Sequence, residues 1–197
     1  MYIRRTDGER VPFESFSVSR ATLSALHELK FTTTTLIQSS TLPHTLSPNC
    51  DVLACGPTGC GKTLSFLIPV VESLARERWT CSDGLHSCIL SPTRELAMQT
   101  FDVLKSLAKY HSFTVGLVTG GRKGFREEQR GVVKTNCLVA TPGRLLSHFE
   151  GTYGFHADDL RVFVIDEADK VLDLGFKNEI DRIVGYLPEG RQVRLVF

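Results

Sequence analysis

One octapeptide, Gly56-Pro-Thr-Gly-Cys-Gly-Lys-Thr63, restricts the fold of this chain more than any other feature. It has the spacing Gly-x-x-x-x-Gly-Lys-Thr, follows a short apolar run (Asp51–Cys55) and opens an amphipathic one (Lys62–Leu74). Gly59 and Gly61 let the backbone wrap an anion and turn N–H groups inward. The helix behind them aims its positive end at the same point. In that arrangement Lys62 reaches the β- and γ-phosphates of a nucleotide and the Thr63 hydroxyl holds Mg²⁺. Gly56, Pro57, Thr58 and Cys60 complete the candidate nucleotide loop. A chance glycine-rich turn is the alternative, roughly a 1% event in a chain of this size. For Cys60 two readings stand: a thiol whose pKa falls near a helix N-terminus, and a small residue at an unconstrained position.

The rest of the sequence alternates in the way such a loop requires. Short apolar runs at Asp51–Cys55, Cys88–Ser91, Thr114–Val118, Cys137–Ala140, Val162–Ile165 and Val193–Phe197 read as buried parallel strands. Helical stretches at Lys62–Leu74, Arg94–Tyr110, Gly143–Phe149 and Asn178–Leu187 lie between them, and Ser19–Lys30 reads as a capped helix ahead of them. The expected class is α/β, a mostly parallel central sheet with helices on both faces. With 197 residues, 42% hydrophobic and 23% charged, the chain can bury a core and is not of disordered, collagenous or coiled-coil type. Lys and Arg total 23 against 22 Asp and Glu, so any nucleic-acid site must be local. The six cysteines show no Cys-x-x-Cys pair and read as free thiols. The start has no signal-peptide core, and Phe66–Val71 is too short to cross a membrane, so an intracellular chain with no membrane partner is expected.

Val162-Phe-Val-Ile165 runs into Asp166-Glu-Ala-Asp169. An Asp at the end of a buried strand suits a Mg²⁺ ion held through water, and a Glu beside it suits a general base on water. Lys62, Asp166 and Glu167 are therefore the candidate catalytic residues, with Thr63 and Asp166 at the metal. Asp169 is expected to organise the site through hydrogen bonds. By itself the run also reads as the acidic first turn of a helix.

These residues, together with four further segments, resemble the DEAD-box RNA helicases, whose name Asp166–Asp169 spells. Pro92-Thr-Arg-Glu-Leu-Ala97 is similar to motif Ia, Gly120-Gly121 to the glycine doublet, and Thr141-Pro-Gly-Arg144 to motif Ib. Lys30-Phe-Thr-Thr-Thr-Thr-Leu-Ile-Gln38 resembles the Q motif, with Phe13 at the upstream aromatic position. The likeness runs from about Phe13 to Phe197. It implies a RecA-like nucleotide-binding domain over residues 42–197, preceded by a 1–41 extension carrying the Q motif. It implies ATP and Mg²⁺ as cofactors, with Gln38 reading adenine and Phe31 packing on the ring; a core aromatic is the other reading of Phe31. The pattern is departed from at Gly56, usually Ala, and at Lys30, Thr34 and Leu36, usually Gly and two Pro.

RNA contacts carry over to Pro92, Thr93, Arg94, Gly121, Thr141, Pro142, Gly143 and Arg144. Helix N-termini and backbone N–H groups there would grip phosphates without reading sequence. Pro92–Ala97 by itself also reads as a Thr-capped helix start of structural use only. The basic run Arg122–Arg126 reads as a solvated helix entry. Trp79–Leu85 and Phe155–Leu160 resemble members that act on small-subunit pre-rRNA, which implies a nuclear, nucleolar parent with pre-ribosomal protein partners. A monomer is expected. The chain stops at Gln192–Phe197, where the resemblance implies motif III and a second RecA-like domain to follow. That domain supplies an arginine finger, so nucleotide binding with poor hydrolysis and no unwinding is expected of this chain alone. A silent RNA- or protein-binding scaffold, and a GTPase or small-molecule kinase, are the competing functions; no Asn-Lys-x-Asp guanine reader is present.

Overall fold

The computed structural model describes residues 2–4, 9–47, 51–121 and 124–196. The expectations for Cys50, Arg122, Lys123 and Phe197 lie outside the described residues. In chain order the elements are β1 (Tyr2–Arg4), a 3₁₀ turn (Phe13–Ser15), α1 (Arg20–Glu28), α2 (Leu36–Thr45), β2 (Val52–Cys55), α3 (Lys62–Arg76), β3 (Ser87–Leu90), α4 (Arg94–Leu107), a second 3₁₀ turn (Ala108–Tyr110), β4 (Val115–Val118), α5 (Phe125–Val132), β5 (Cys137–Ala140), α6 (Pro142–Gly151), β6 (Val162–Ile165), α7 (Ala168–Asp173), α8 (Lys177–Gly185) and β7 (Gln192–Val196). Among the described residues the strands form one sheet in the order β1-β2-β7-β6-β3-β5-β4, and every pairing is parallel.

Strand pleating sorts the apolar residues into two cores. Ile89, Cys137, Val139, Val162 and Val164 face one side, against α1, α3 and α4. Cys88, Leu90, Leu138, Phe163 and Ile165 face the other, against the 145–187 helices. A strand buried on both faces cannot alternate with polar residues, which is why these runs are apolar throughout. Cys88 and Cys137 are fully buried, and that burial pushes both thiols far above their usual range, so they are inert. Among the described residues no helix is long and apolar enough to cross a membrane.

The segment between β1 and β2 is part of the same core. Ser19 caps α1, accepting from Thr22 N–H, and its own N–H and hydroxyl bond the buried carboxylate of Glu72 on α3. Leu26 and Phe13 sit in the first core at 0% and 2% exposure. The expected boundary between residues 41 and 42 falls inside α2. α2 was not legible as a helix because Ser39, Ser40 and Thr41 are weak helix formers and Pro43 lies within it. A capping box between Thr35 and Gln38, together with burial of Ile37 and Leu42, makes it one. α5 and α7 were also missed; they are short, and α5 buries only Val132.

Because the sheet is parallel, its strands all end at one edge. The chain leaves β2 and skips two places to start β3, and this crossover opens the ligand-binding crevice that open α/β sheets carry. The strand order then divides the edge. The loops after β2 and β6 lie toward one side, and those after β3, β5 and β4 toward the other.

Candidate functional site

A cleft of about 520 Å³ lies on the first side, lined by Thr58, Gly59, Gly61, Lys62 and Thr63 from the loop after β2, and by Asp166 and Glu167 after β6. Gly59 and Gly61 adopt φ of +77° and +96°. A Cβ on Gly61 would come within 2.6 Å of Gln38 Nε2, so this turn excludes other residues on both conformation and space. Lys62 Nζ donates to the Gly56 carbonyl across the loop. Asp166 is 7% exposed; burial, and then the neighbouring Glu167 carboxylate, push its pKa up to about 6. Glu167 holds a left-handed backbone at φ +50°, rare for a residue with a Cβ, and pairs with Lys170 at 2.9 Å. Hydroxyl and carboxylate oxygens facing a lysine suit a hard divalent cation and a polyphosphate, and a cation beside Asp166 would offset the cost of its charge.

The other wall of this cleft comes from elsewhere in the chain. Phe31, Thr33, Thr35 and Gln38 close one end, and Leu96, Gln99, Thr100 and Val103 present one face of α4 at helical spacing. Phe31 is 42% exposed, leaving its ring available to a ligand. Gln38 is buried with both amide atoms engaged: Oε1 accepts from Thr35 N–H at 2.8 Å and Nε2 donates to the Gly61 carbonyl at 3.0 Å.

On the second side lies a groove of similar size, lined by Pro92, Thr93, Arg94, Gly120, Thr141, Gly143 and Arg144. Two helices begin here. Thr93 caps α4 by accepting from Leu96 N–H, and α6 starts at Thr141 with Pro142 in its first turn, where proline costs least. Thr141 Oγ1 also accepts from Gly120 N–H at 3.1 Å, joining α6 to the glycine doublet. The exposed Arg94 guanidinium lies across that doublet; a Cβ on Gly121 would come within 3.5 Å of Arg94 Nη1.

Residues 35–197 match the DEAD/DEAH box helicase family. The chain belongs to the DEAD/DEAH box helicases. It is 50% identical over 183 residues to "Probable ATP-dependent RNA helicase ddx10" of Dictyostelium discoideum, covering 93% of this chain and 21% of that protein. It is also 50% identical over 198 residues to ATP-dependent RNA helicase dbp4 of Aspergillus clavatus, covering 98% and 24%. The chain therefore spans about a fifth to a quarter of these curated relatives. A solved DEAD box protein from the hyperthermophile Methanococcus jannaschii superimposes with a TM-score of 0.84 at 31% identity, over 94% of this chain and 49% of that one.

In this DEAD-box chain most of the expected site residues line the two clefts, whereas Phe13, Gly56, Pro57, Cys60, Gly121, Pro142 and Asp169 do not. Phe13 is buried in the first core and contributes nothing to the nucleotide cleft, because the 3₁₀ turn that carries it packs inward against α1 and α3. Gln38 closes one end of the cleft, and its amide also braces the loop after β2 through the Gly61 carbonyl. Arg144 is not an exposed fork for phosphate. It is 8% exposed, with Nε 3.0 Å from the Thr119 carbonyl and Nη2 3.1 Å from the Gly121 carbonyl. Cys60 faces a recess beside Ile37 and Leu36, and Asp169 is exposed in the first turn of α7. The Leu174 and Phe176 side chains that border the second groove were not foreseen. Leu174 is 57% exposed, and an apolar residue in a short helix-rich run gives no sequence sign of that.

Proposed function

We propose that this domain binds ATP with Mg²⁺ in the first cleft and the backbone of RNA along the second groove, as part of an ATP-dependent RNA helicase. The observation that supports it most is the division of one sheet edge into two adjacent sites. Lys62 and Thr63 face Asp166 and Glu167 on one side, and the N-termini of α4 and α6 flank Gly120 on the other. Lys62 neutralises the terminal phosphates, and Thr63 and Asp166 hold the Mg²⁺, which would disperse phosphate charge. Glu167 accepts the proton of the attacking water. Phe31 packs on the base. Thr93, Arg94, Gly121, Thr141, Pro142 and Gly143 offer N–H groups, helix dipoles and one guanidinium to phosphates, which gives salt-sensitive binding without sequence preference. A nucleolar parent acting with pre-ribosomal proteins on small-subunit pre-rRNA is the finer reading. It is supported by the likeness of residues 79–85 and 155–160, and a tagged copy followed in cells checks it.

ATP turnover by the 197-residue chain, with and without single-stranded RNA, tests the main reading alongside binding of both ligands. ATP and RNA should each bind, with adenine preferred over guanine and little turnover. Failure to bind ATP sinks the reading.

A further inference from the structure

Arg144 carries the carbonyls of Thr119 and Gly121, and it is itself held from behind. Glu128 Oε2, on α5, lies 3.0 Å from Arg144 Nε and 3.0 Å from His148 Nε2. His148, on α6, is fully buried, and its Nδ1 lies 2.9 Å from the Thr152 hydroxyl. A carboxylate only accepts, so His148 Nε2–H donates to Glu128 and the Thr152 hydroxyl donates to Nδ1. Burial lowers the His148 pKa against the opposite pull of Glu128, which agrees with that neutral tautomer. The Phe125 ring stacks on His148 at 4.6 Å and lies 5.5 Å from the Arg144 guanidinium, packing against both. Glu128, His148 and Thr152 line neither the nucleotide cleft nor the groove.

We propose that Glu128, fixed by His148, is a positioning residue for RNA: it holds Arg144, and Arg144 holds the Thr119–Gly121 turn in place beneath Arg94. The proposal rests on the RNA reading of the groove. A turn that presents backbone N–H groups to phosphate binds weakly if it must be ordered at the moment of binding. Here two carbonyls of the turn are anchored to a guanidinium that is itself anchored, so the ordering precedes the ligand. The anchor lies on α5 and the C-terminal half of α6, and Glu128 and His148 do not themselves line the groove.

The test measures binding of a fluorescein-labelled oligouridine and of mant-ADP to the whole 197-residue chain. Glu128→Ala should weaken RNA binding about tenfold and Glu128→Gln, which keeps volume and one acceptor, about threefold. The mant-ADP affinity should stay within about twofold in both, because the cleft shares no partner with Glu128. Amide resonances of Gly120 and Gly121 should shift while those of Gly59 and Gly61 do not, a split that general destabilisation would not produce. Unchanged RNA affinity in both variants overturns the proposal, as does an equal loss of both ligands in Glu128→Gln. Arg94→Ala separates the underlying reading. If the unaltered chain binds no RNA, or Arg94→Ala binds it equally well, the RNA groove falls and the positioning role with it.

Discussion

The proposed nucleotide cleft and the proposed RNA groove share one sheet edge but are built on different logic. The cleft takes its charged groups from two short contiguous motifs: Lys62, beside Thr58, Gly59, Gly61 and Thr63 of the first, and Asp166 and Glu167 of the second line the space. The groove is assembled from three loops far apart in sequence, and one of its motif arginines turns inward. Arg94 and Arg144 make the contrast concrete: one is exposed and lies over the glycine doublet, and the other is buried beneath it. A phosphate loop can be specified locally because glycine conformation and a helix start suffice. A groove made of separate loops needs an internal support, and charged side chains serve there as struts.

Several substitutions would break or sharpen this contrast. Lys62→Ala should have the largest effect, abolishing mant-ADP binding, a loss of at least about 100-fold, with RNA affinity unchanged. A parallel loss of RNA binding would mean that the two sites are not separable. Glu167→Gln should keep nucleotide affinity and lower RNA-stimulated turnover about 100-fold or more, measured in a longer chain that adds the second RecA-like domain the resemblance implies. Retained turnover removes Glu167 as the base.

The two arginines should then part company. Arg94→Ala should weaken RNA binding and reduce the salt slope by about one, with no change in melting temperature. Arg144→Ala leaves Glu128 without its buried partner and should cost about 3 kcal/mol of stability, read by urea unfolding. Equal melting temperatures for the two variants would contradict the strut role.

His86 provides a reference at the opposite end of β3, adjoining neither ligand site. It is 0% exposed and stacks edge-on against Trp79 at 4.9 Å. Burial pushes its pKa down to about 4, although Glu77 at 3.5 Å pulls the other way. A group held neutral when folded but titrating near 6.5 when unfolded lends stability that is complete above pH 6.5. That stability is lost as pH falls from 6.5 toward 4. The chain should therefore be about 2 kcal/mol less stable at pH 4.5 than at pH 7 on this account, a difference that His86→Gln removes.

The smallest effect concerns Lys30, which ends α1 in a left-handed conformation at φ +62°. Phe31 N–H bonds to the Leu26 carbonyl and Lys30 N–H to that of His27, the paired bonds of a helix end that glycine favours. Lys30→Gly should stabilise the chain by about 0.5 kcal/mol and leave both ligand affinities alone.

Much of this was legible beforehand. β5 and β6 match their expected limits, and α3 begins at the expected Lys62. Those elements are strongly apolar or open on a motif, so local pattern and tertiary demand agree. α2 was hidden by its serines, threonines and Pro43, and its helicity depends on a cap and on burial against α3. Phe13 was placed by motif position, which does not record whether a residue faces a cleft or the interior.

The sequence by itself determined the glycine-rich loop after β2, the acidic pair and the alternation that forces a parallel sheet, because each depends on backbone conformation and periodicity within a few residues. Only the tertiary structure decided which side of the sheet edge each loop occupies, that Gln38 braces Gly61, and that Arg144 is a buried strut held by Glu128 and His148. Those outcomes depend on strand order and on which groups meet at sequence separations of 16 to 25, distances over which local pattern carries no information.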